Sequence, residues 1–236
     1  MAVARWLGHS AFFITADNGK HILVDPFLKG NPKTPEPWKS PDNIDVILLT
    51  HGHDDHAADT IDLAKKTGAR VVSIVELSGL LKADGLPEEQ AVEMNKGGTI
   101  DLGGFRVTMT NANHSSSWKG RYAGDPAGFI IHLDRLRIYH AGDTNITSDF
   151  ALYRKLYHPD IAILPIGDHY TMGPEEAALA CDMLKPKYAV PMHYGTMPVL
   201  SGTPEKFREL VEKLPENRTR VIVPNAGDDF LDGLDF

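Results

Sequence analysis

A single cysteine, Cys181, stands among 236 residues, so no internal disulfide can form and a reducing compartment suits the chain. Long apolar runs are missing too. The opening Met1-Ala2-Val3-Ala4-Arg5-Trp6-Leu7 has no apolar core behind a basic start, and no stretch approaches membrane-spanning length. A cytoplasmic protein without a membrane partner is expected. Positive charge is also scarce: 24 Lys and Arg face 32 Asp and Glu, for a net charge of −8, and the basic residues nowhere bunch. That balance disfavours a broad nucleic-acid surface but is compatible with a local cationic site. No repeat, low-complexity tract or linker is visible. With 42% hydrophobic and 8% aromatic residues the chain can fill one sizeable core, and residues 1–236 read as one domain.

What is abundant is concentrated in residues 44–59. Val46, Ile47, Leu48 and Leu49 form a short apolar run bounded by polar residues, which suits a strand covered on both faces. His51, His53, Asp54, Asp55 and His56 follow at its carboxyl end, where open α/β sheets place ligands. Two apart in extended chain, His51 and His53 can address one ion, leaving the adjacent Asp55 and His56 free to face a second. A solvated or helix-capping loop is the plain alternative for one such histidine. Three His and two Asp in six residues are costly to place at a sheet edge without a neutralising cation. His51-Gly52-His53-Asp54-Asp55-His56 resembles the His-X-His-X-Asp-His signature of the metallo-β-lactamase superfamily.

Along the chain, residues 3–7, 11–15 and 22–24 alternate like an antiparallel opening with a turn at Asp17-Asn18-Gly19-Lys20. His9 and Asp25 fall at strand ends. Residues 30–42 carry four prolines and read as a loop that could wall a substrate site. A helix is expected over 57–66, a strand over 70–75 and a short helix over 76–83. Hairpins are expected at 100–110 and 127–140, the first delivering His114 and the second Asp143. Thereafter helices at 148–157, 174–184 and 204–214 alternate with strands at 161–165, 188–192 and 220–223. The acidic tail, Asp228, Asp229, Asp232 and Asp235, is expected to be solvated.

His114, Asp143 and His193 complete the superfamily pattern in its required order. The resemblance implies an α+β, four-layer αβ/βα sandwich. It also implies that His51, His53 and His114 bind one ion, that Asp55, His56 and His193 bind another, and that Asp143 bridges them. Two cations roughly 3.5–4 Å apart can hold a hydroxide between them and polarise the bond it attacks. By the same analogy Asp55 is the catalytic proton carrier. Imidazole and carboxylate donors suit Zn or Mn, and also Fe, so ligand type alone leaves the metal open. Diiron relatives of this fold place a Glu where this chain has His53, which argues against redox chemistry.

The remaining histidines divide. His21, His132 and His158 lack acidic companions and are expected to be exposed or packed, and His140 to pack within its strand. His169, after a strand ending at the shared rim, and His9 are candidates for touching substrate. The Gly8-His9-Ser10 segment resembles one near the active site in the branch containing ascorbate-6-phosphate lactonase and phosphodiesterase-like enzymes. Asp25 is expected to orient a liganding His from behind, and Cys181, on an apolar helix face, to be a small buried hydrophobe. The expected function is hydrolysis of an ester, lactone or phosphodiester bond in a small anionic molecule. A nuclease of the same superfamily is the weaker alternative, because the segment between Asp143 and His193 is too short for a large inserted domain. A non-catalytic metal-bound sensor would have little use for Asp55. Homo-oligomerisation is left open.

Overall fold

The computed structural model describes residues 2–215 and 218–236. Its first sheet opens with the expected meander, β1 (Val3–Trp6), β2 (Phe12–Thr15) and β3 (His21–Val24), all antiparallel. Asn18 makes the second turn by accepting the Lys20 N–H at 3.1 Å, with Gly19 left-handed at φ +83. β4 (Val46–Leu48) is buried at every position and adds to β3 in parallel. Two helical pieces follow, α1 (Asp54–Ala57) and α2 (Thr60–Thr67), then β5 (Arg70–Ile74), α3 (Val75–Ala83) and β6 (Ala91–Met94), giving six strands in sequence order.

One helix was expected over 57–66, but Asp59 interrupts it. Its carboxylate accepts the N–H groups of Leu28 and Lys29 at 2.7 and 2.9 Å, and its own N–H donates to Pro26 O. Those bonds tie the chain to the loop after β3 and stop the helix from running through. β6 is a half-buried edge strand whose Ala-Val-Glu-Met sequence carries no strong alternation, which explains why periodicity does not reveal it.

The second half continues through β7 (Thr99–Asp101), β8 (Arg106–Asn111), a two-stranded ribbon of β9 (Ser117–Trp118) and β10 (Arg121–Tyr122), then β11 (Ala127–His132) and β12 (Arg137–His140). α4 (Asp149–Tyr157), β13 (Ile161–Pro165), α5 (Pro174–Leu184), β14 (Tyr188–Met192), α6 (Pro204–Glu212) and β15 (Arg220–Val221) complete it. Seven of these strands form a mixed sheet in the order β15-β14-β13-β12-β11-β8-β7, parallel from β12 to β15. β15 stops at Val221, short of the expected 223, for a physical reason. Ala189 faces β15, accepting the Ile222 N–H at 2.9 Å. Two residues on, Pro191 faces the same way with no N–H to offer.

α3 packs on β5 and β6, α5 on β13 and α6 on β15. The inner faces form one apolar cluster in which Phe12, Ile14 and Val46 of the first sheet join Phe129, Ile138 and Ile163 of the second. The fold is therefore the α+β arrangement of two helix-flanked mixed sheets that the resemblance implies. Cross-links tie the sheets at one rim: His193 N–H to His9 O at 3.1 Å, Ala127 N–H to Thr50 O at 2.9 Å, and the Phe12 ring edge-on to His140 at 5.4 Å.

Three of the four tail aspartates, Asp228, Asp232 and Asp235, are exposed as expected, whereas Asp229 is half-buried and the tail around it docks on β1. Gly227 and Phe230 donate their N–H groups to the carbonyls of Trp6 and Ala4, and Asp229 Oδ1 accepts the Ala4 N–H at 3.1 Å. Phe230 and Leu231 are buried, at roughly 1.5–3 kcal/mol per large apolar side chain, which anchors the tail while the carboxylates of Asp228 and Asp232 stay in water.

Candidate metal centre

The strand ends that meet at this rim reverse sharply. His9, Asp25, Asp168, His169 and His193 all have positive φ, between +47 and +61. Non-glycine residues rarely accept that conformation, and when several do at one rim the surrounding structure is fixing where their side chains go. For His9, Asp25 and His193 the side chains turn inward and are buried.

His51 lies just beyond β4, and His53 is the extended residue that starts α1. His51 Nε2 and His53 Nδ1 are 3.0 Å apart, and donor atoms of His51, His53 and His114 lie within 4.8 Å of one another. His114 is delivered by the segment after β8. There Gly52 matters, because a Cβ on it would sit 2.9 Å from Ser117 O, so only glycine lets the 114–123 segment close over the cluster. Gly52 N–H also donates to Ser116 Oγ at 3.2 Å.

The helical turn of α1 carries Asp55 and His56 around to the other side. His9, Asp55, His56 and His193 form a second group with donor atoms within 4.8 Å, and His51, His56 and Asp143 a third. Asp143, reached through Gly142 at φ +63 after β12, lies between them. Its Oδ2 is 3.2 Å from His56 Nε2, 3.1 Å from His193 Nε2 and 3.6 Å from His114 Nε2. Asp143 is 2% exposed and Asp55 24%, so Asp143 forms the floor of the site and Asp55 the mouth.

Charges follow from this packing. Burial, then the neighbouring His56, pushes His51 well below the usual imidazole range. Burial likewise lowers His53 and His114. Burial opposes a charge on His56 too, but Asp143, Asp25 and Asp55 outweigh it and raise its pKa. Burial would raise Asp143, yet His193 and His56 hold it well below the carboxylate range.

A layer behind the donors fixes their orientation. Asp25 Oδ2 lies 2.8 Å from His56 Nδ1 and also accepts the Thr50 hydroxyl at 2.7 Å, while Asp25 Oδ1 accepts the Thr50 N–H at 2.8 Å. Thr50 Oγ1 in turn lies 3.0 Å from His51 Nδ1. With its hydroxyl proton on Asp25, that oxygen can only accept from His51. The network thus puts protons on Nδ1 of both histidines and turns both Nε2 atoms toward the centre. His140 is fully buried: its Nδ1 accepts the Gly142 N–H at 3.2 Å, and its Nε2 sits 3.1 Å from Ser10 O.

These donors fit divalent cations. His56 Nε2 and Asp143 Oδ1 are buried without a hydrogen-bond partner, each costing about 1–3 kcal/mol unless something else satisfies it. His51, His53 and His114, kept neutral by burial, and Asp143, kept ionised, are in the forms that coordinate metal, whereas His56 must give up a proton to do so.

His9, expected as a substrate contact, is fully buried, with Nε2 3.0 Å from Asp55 Oδ2 and its ring 4.0 Å from that of His193. Burial lowers its pKa to about 4. His169 is exposed, its ring against Tyr170 at 4.4 Å, and belongs to none of the donor groups. His21 packs on Phe13, His132 meets Thr108 Oγ1 at 2.9 Å, and His158 ends α4 in the left-handed conformation. Cys181 is buried, and burial pushes its thiol pKa up. Thr50 and Ser116, which brace the cluster, carry no sequence signal beyond standing near histidines.

The description "Beta-lactamase superfamily domain" matches residues 4–193, from β1 to His193. The chain belongs to the beta-lactamase superfamily. Within the superfamily it is similar to a UPF0173 metal-dependent hydrolase of Herpetosiphon aurantiacus, 44% identical over 229 residues, covering 94% of this chain and 95% of that one. A UPF0173 metal-dependent hydrolase of Rubrobacter xylanophilus is 46% identical, covering 89% and 88%. Among solved structures, Igni18, a metallo hydrolase from Ignicoccus hospitalis, is 35% identical with a TM-score of 0.85 and 97% of each chain covered. No helix among the described residues of this superfamily member is long and apolar enough to cross a membrane.

Proposed function

We propose that residues 1–236 act as one metal-dependent hydrolase domain, working in a reducing, cytoplasmic setting on a small anionic ester, lactone or phosphodiester. His51, His53 and His114 would hold one divalent ion, Asp55, His56 and His193 a second, and Asp143 would serve both, with Zn or Mn preferred. The observation that carries this reading is the placement of Asp143 Oδ2, within 3.1–3.6 Å of donors from both sets. When bound, such a pair of ions supplies a nucleophile at neutral pH and polarises the bond under attack.

The chain's own groups do the rest. Asp55, at the mouth, is held ionised: burial opposes this, but the charge on His56 and the hydrogen bond from His9 outweigh it. Its carboxylate would take a proton from the attacking group and return it to the leaving group. His9 is neutral near pH 7 and fixes Asp55 from behind through Nε2. His9 thus reaches substrate through Asp55, while His169 is left as an exposed candidate for direct contact. Two divalent ions against two carboxylates leave the centre positive, which favours an anionic substrate. The acidic composition weighs against a nuclease, and the mouth-facing Asp55 against a sensor without turnover.

The test is metal analysis coupled to turnover of ester, lactone and phosphodiester panels. Purified protein is expected to carry close to two transition-metal ions and to lose activity on chelation, regaining it when the ions return. Full activity in a metal-free preparation overturns the reading.

A further inference from the structure

The proline-rich loop after β3 is more firmly built than its composition suggests. Lys39 Nζ donates to the carbonyls of Leu28 and Asn31, and buried Asn31 donates through Nδ2 to Phe27 O at 3.1 Å. Asn31 Oδ1 accepts the Lys33 N–H at 2.9 Å, and Thr34 Oγ1 donates to Leu7 O at 2.7 Å. Residues on both sides of Lys33 are therefore tied down, while Lys33 itself is exposed.

Its side chain crosses two glycines. Lys33 Cβ lies 2.7 Å from where a Cβ on Gly8 would stand, and Lys33 Nζ lies 3.9 Å from where one on Gly195 would stand. Gly8 immediately precedes His9, and Gly195 follows His193 by two residues. Both are left-handed, at φ +99 and +63, so a side chain at either would be strained, and one at Gly8 would also take the space Lys33 uses. The Lys33 stem thus lies over the segments that deliver His9 and His193. Lys29, Lys66, Lys82 and Lys96 are each paired with a carboxylate, but among the described residues Lys33 Nζ has no ion-pair partner.

We propose that Lys33 is a specificity-determining residue that pairs with the anionic group of the substrate. The proposal rests on the hydrolase reading of the adjacent centre. An unpaired ammonium on a fixed loop offers a local cation that the protein's net charge of −8 would otherwise deny an approaching anion. An ammonium facing phosphate or carboxylate makes a charge-assisted hydrogen bond worth about tenfold in affinity.

The experiment measures phenyl phosphate binding by calorimetry to metal-loaded wild type, Lys33→Met and Lys33→Arg, at low and high salt, with metal content measured for each. Expected are equal metal content, about tenfold weaker binding by Lys33→Met, retention by Lys33→Arg, and a shallower salt dependence in Lys33→Met. Equal affinity of wild type and Lys33→Met, or no binding by wild type, overturns the proposal. Turnover separates the two readings. If wild type cleaves the ester panel while Lys33→Met binds phenyl phosphate as well as wild type does, the hydrolase reading stands and Lys33 falls. If nothing is cleaved but binding depends on Lys33, the anion site stands and the hydrolase reading falls.

Discussion

The two sheets contribute to the centre in opposite ways. The first supplies His51, His53, Asp55 and His56 from one loop and one helical turn at the end of β4, with Asp25 at the end of the neighbouring β3 bracing two of them. The second supplies His114, Asp143 and His193 from the separate ends of β8, β12 and β14. A contiguous cluster is positioned by a single local fold and moves as a unit. Dispersed donors are positioned only if the whole sheet is right, and they meet the cluster only if the two sheets dock, which the bonds from His193 to His9 and Ala127 to Thr50 secure. Neither half can build the site alone.

The largest expected effect comes from removing the group where the halves meet. Asp143→Asn keeps the shape of the side chain but removes the charge facing His56, His193 and His114. Metal content should fall at both positions, and activity by at least about 100-fold. Elemental analysis checks this. A variant that still holds two ions would show that the second sheet does not supply a shared donor, and the contrast between the sheets would then reduce to a matter of chain order.

That contrast also explains what could be read in advance. His51 to His56 are legible because five chemically expensive residues stand within six positions, a density that solvated loops have no reason to carry. His114, Asp143 and His193 are each ordinary alone, and only the ordered resemblance to a superfamily singles them out. Alternation and short apolar runs expose β1 to β5 and the parallel strands of the second sheet, but not β6, which has no alternation, or the β9-β10 ribbon, whose strands of two residues are too short to leave a period. The roles of Asp59 as a helix interruption and of Phe230 as an anchor depend on contacts with residues 26–29 and with β1, and nothing nearby in sequence encodes them. Asp25 is intermediate: its place at a strand end is legible, whereas its double hold on His56 and Thr50 needs the fold.

Bracing of the contiguous cluster can be tested next, with a smaller effect expected. Asp25→Asn weakens the hold on His56 Nδ1 and on the Thr50 hydroxyl together, so two donors of the first sheet lose their orientation. Metal affinity or activity should drop about 10–100-fold. Thr50→Val breaks only the branch to His51 and should cost less. Competition titrations with a chelator read both variants, and a Thr50→Val loss equal to or exceeding that of Asp25→Asn would mean that the cluster is not braced through Asp25.

The smallest effect concerns the ribbon that belongs to neither large sheet. Asp84 Oδ2, at the end of α3, accepts from Trp118 Nε1 and Arg121 Nη2 at 2.7 Å and lies 3.0 Å from Lys119 Nζ. Hydrogen bonds from Lys119, Arg121 and Trp118 hold its pKa at about 2, below the roughly 3.9 of an unfolded Asp. Because the folded value is the lower one, this anchor is fully present above about pH 4 and is lost as pH falls toward about 2. Protection of the amides across residues 116–123, taken relative to the intrinsic exchange rate at each pH, should therefore stay high at neutral pH and fall through that acid window, while Asp84→Asn should show low protection already at pH 7. Affinity for metal should fall less than tenfold in Asp84→Asn, because His114 has a second support independent of the ribbon. The preceding Asn113 N–H donates to Thr144 Oγ1 at 3.0 Å, and Asn113 O accepts the Asn145 N–H at 3.2 Å. If Asp84→Asn instead strips metal as thoroughly as Asp143→Asn, His114 is held by the ribbon and not by the end of β8, and the donors of the second half are not positioned one strand at a time.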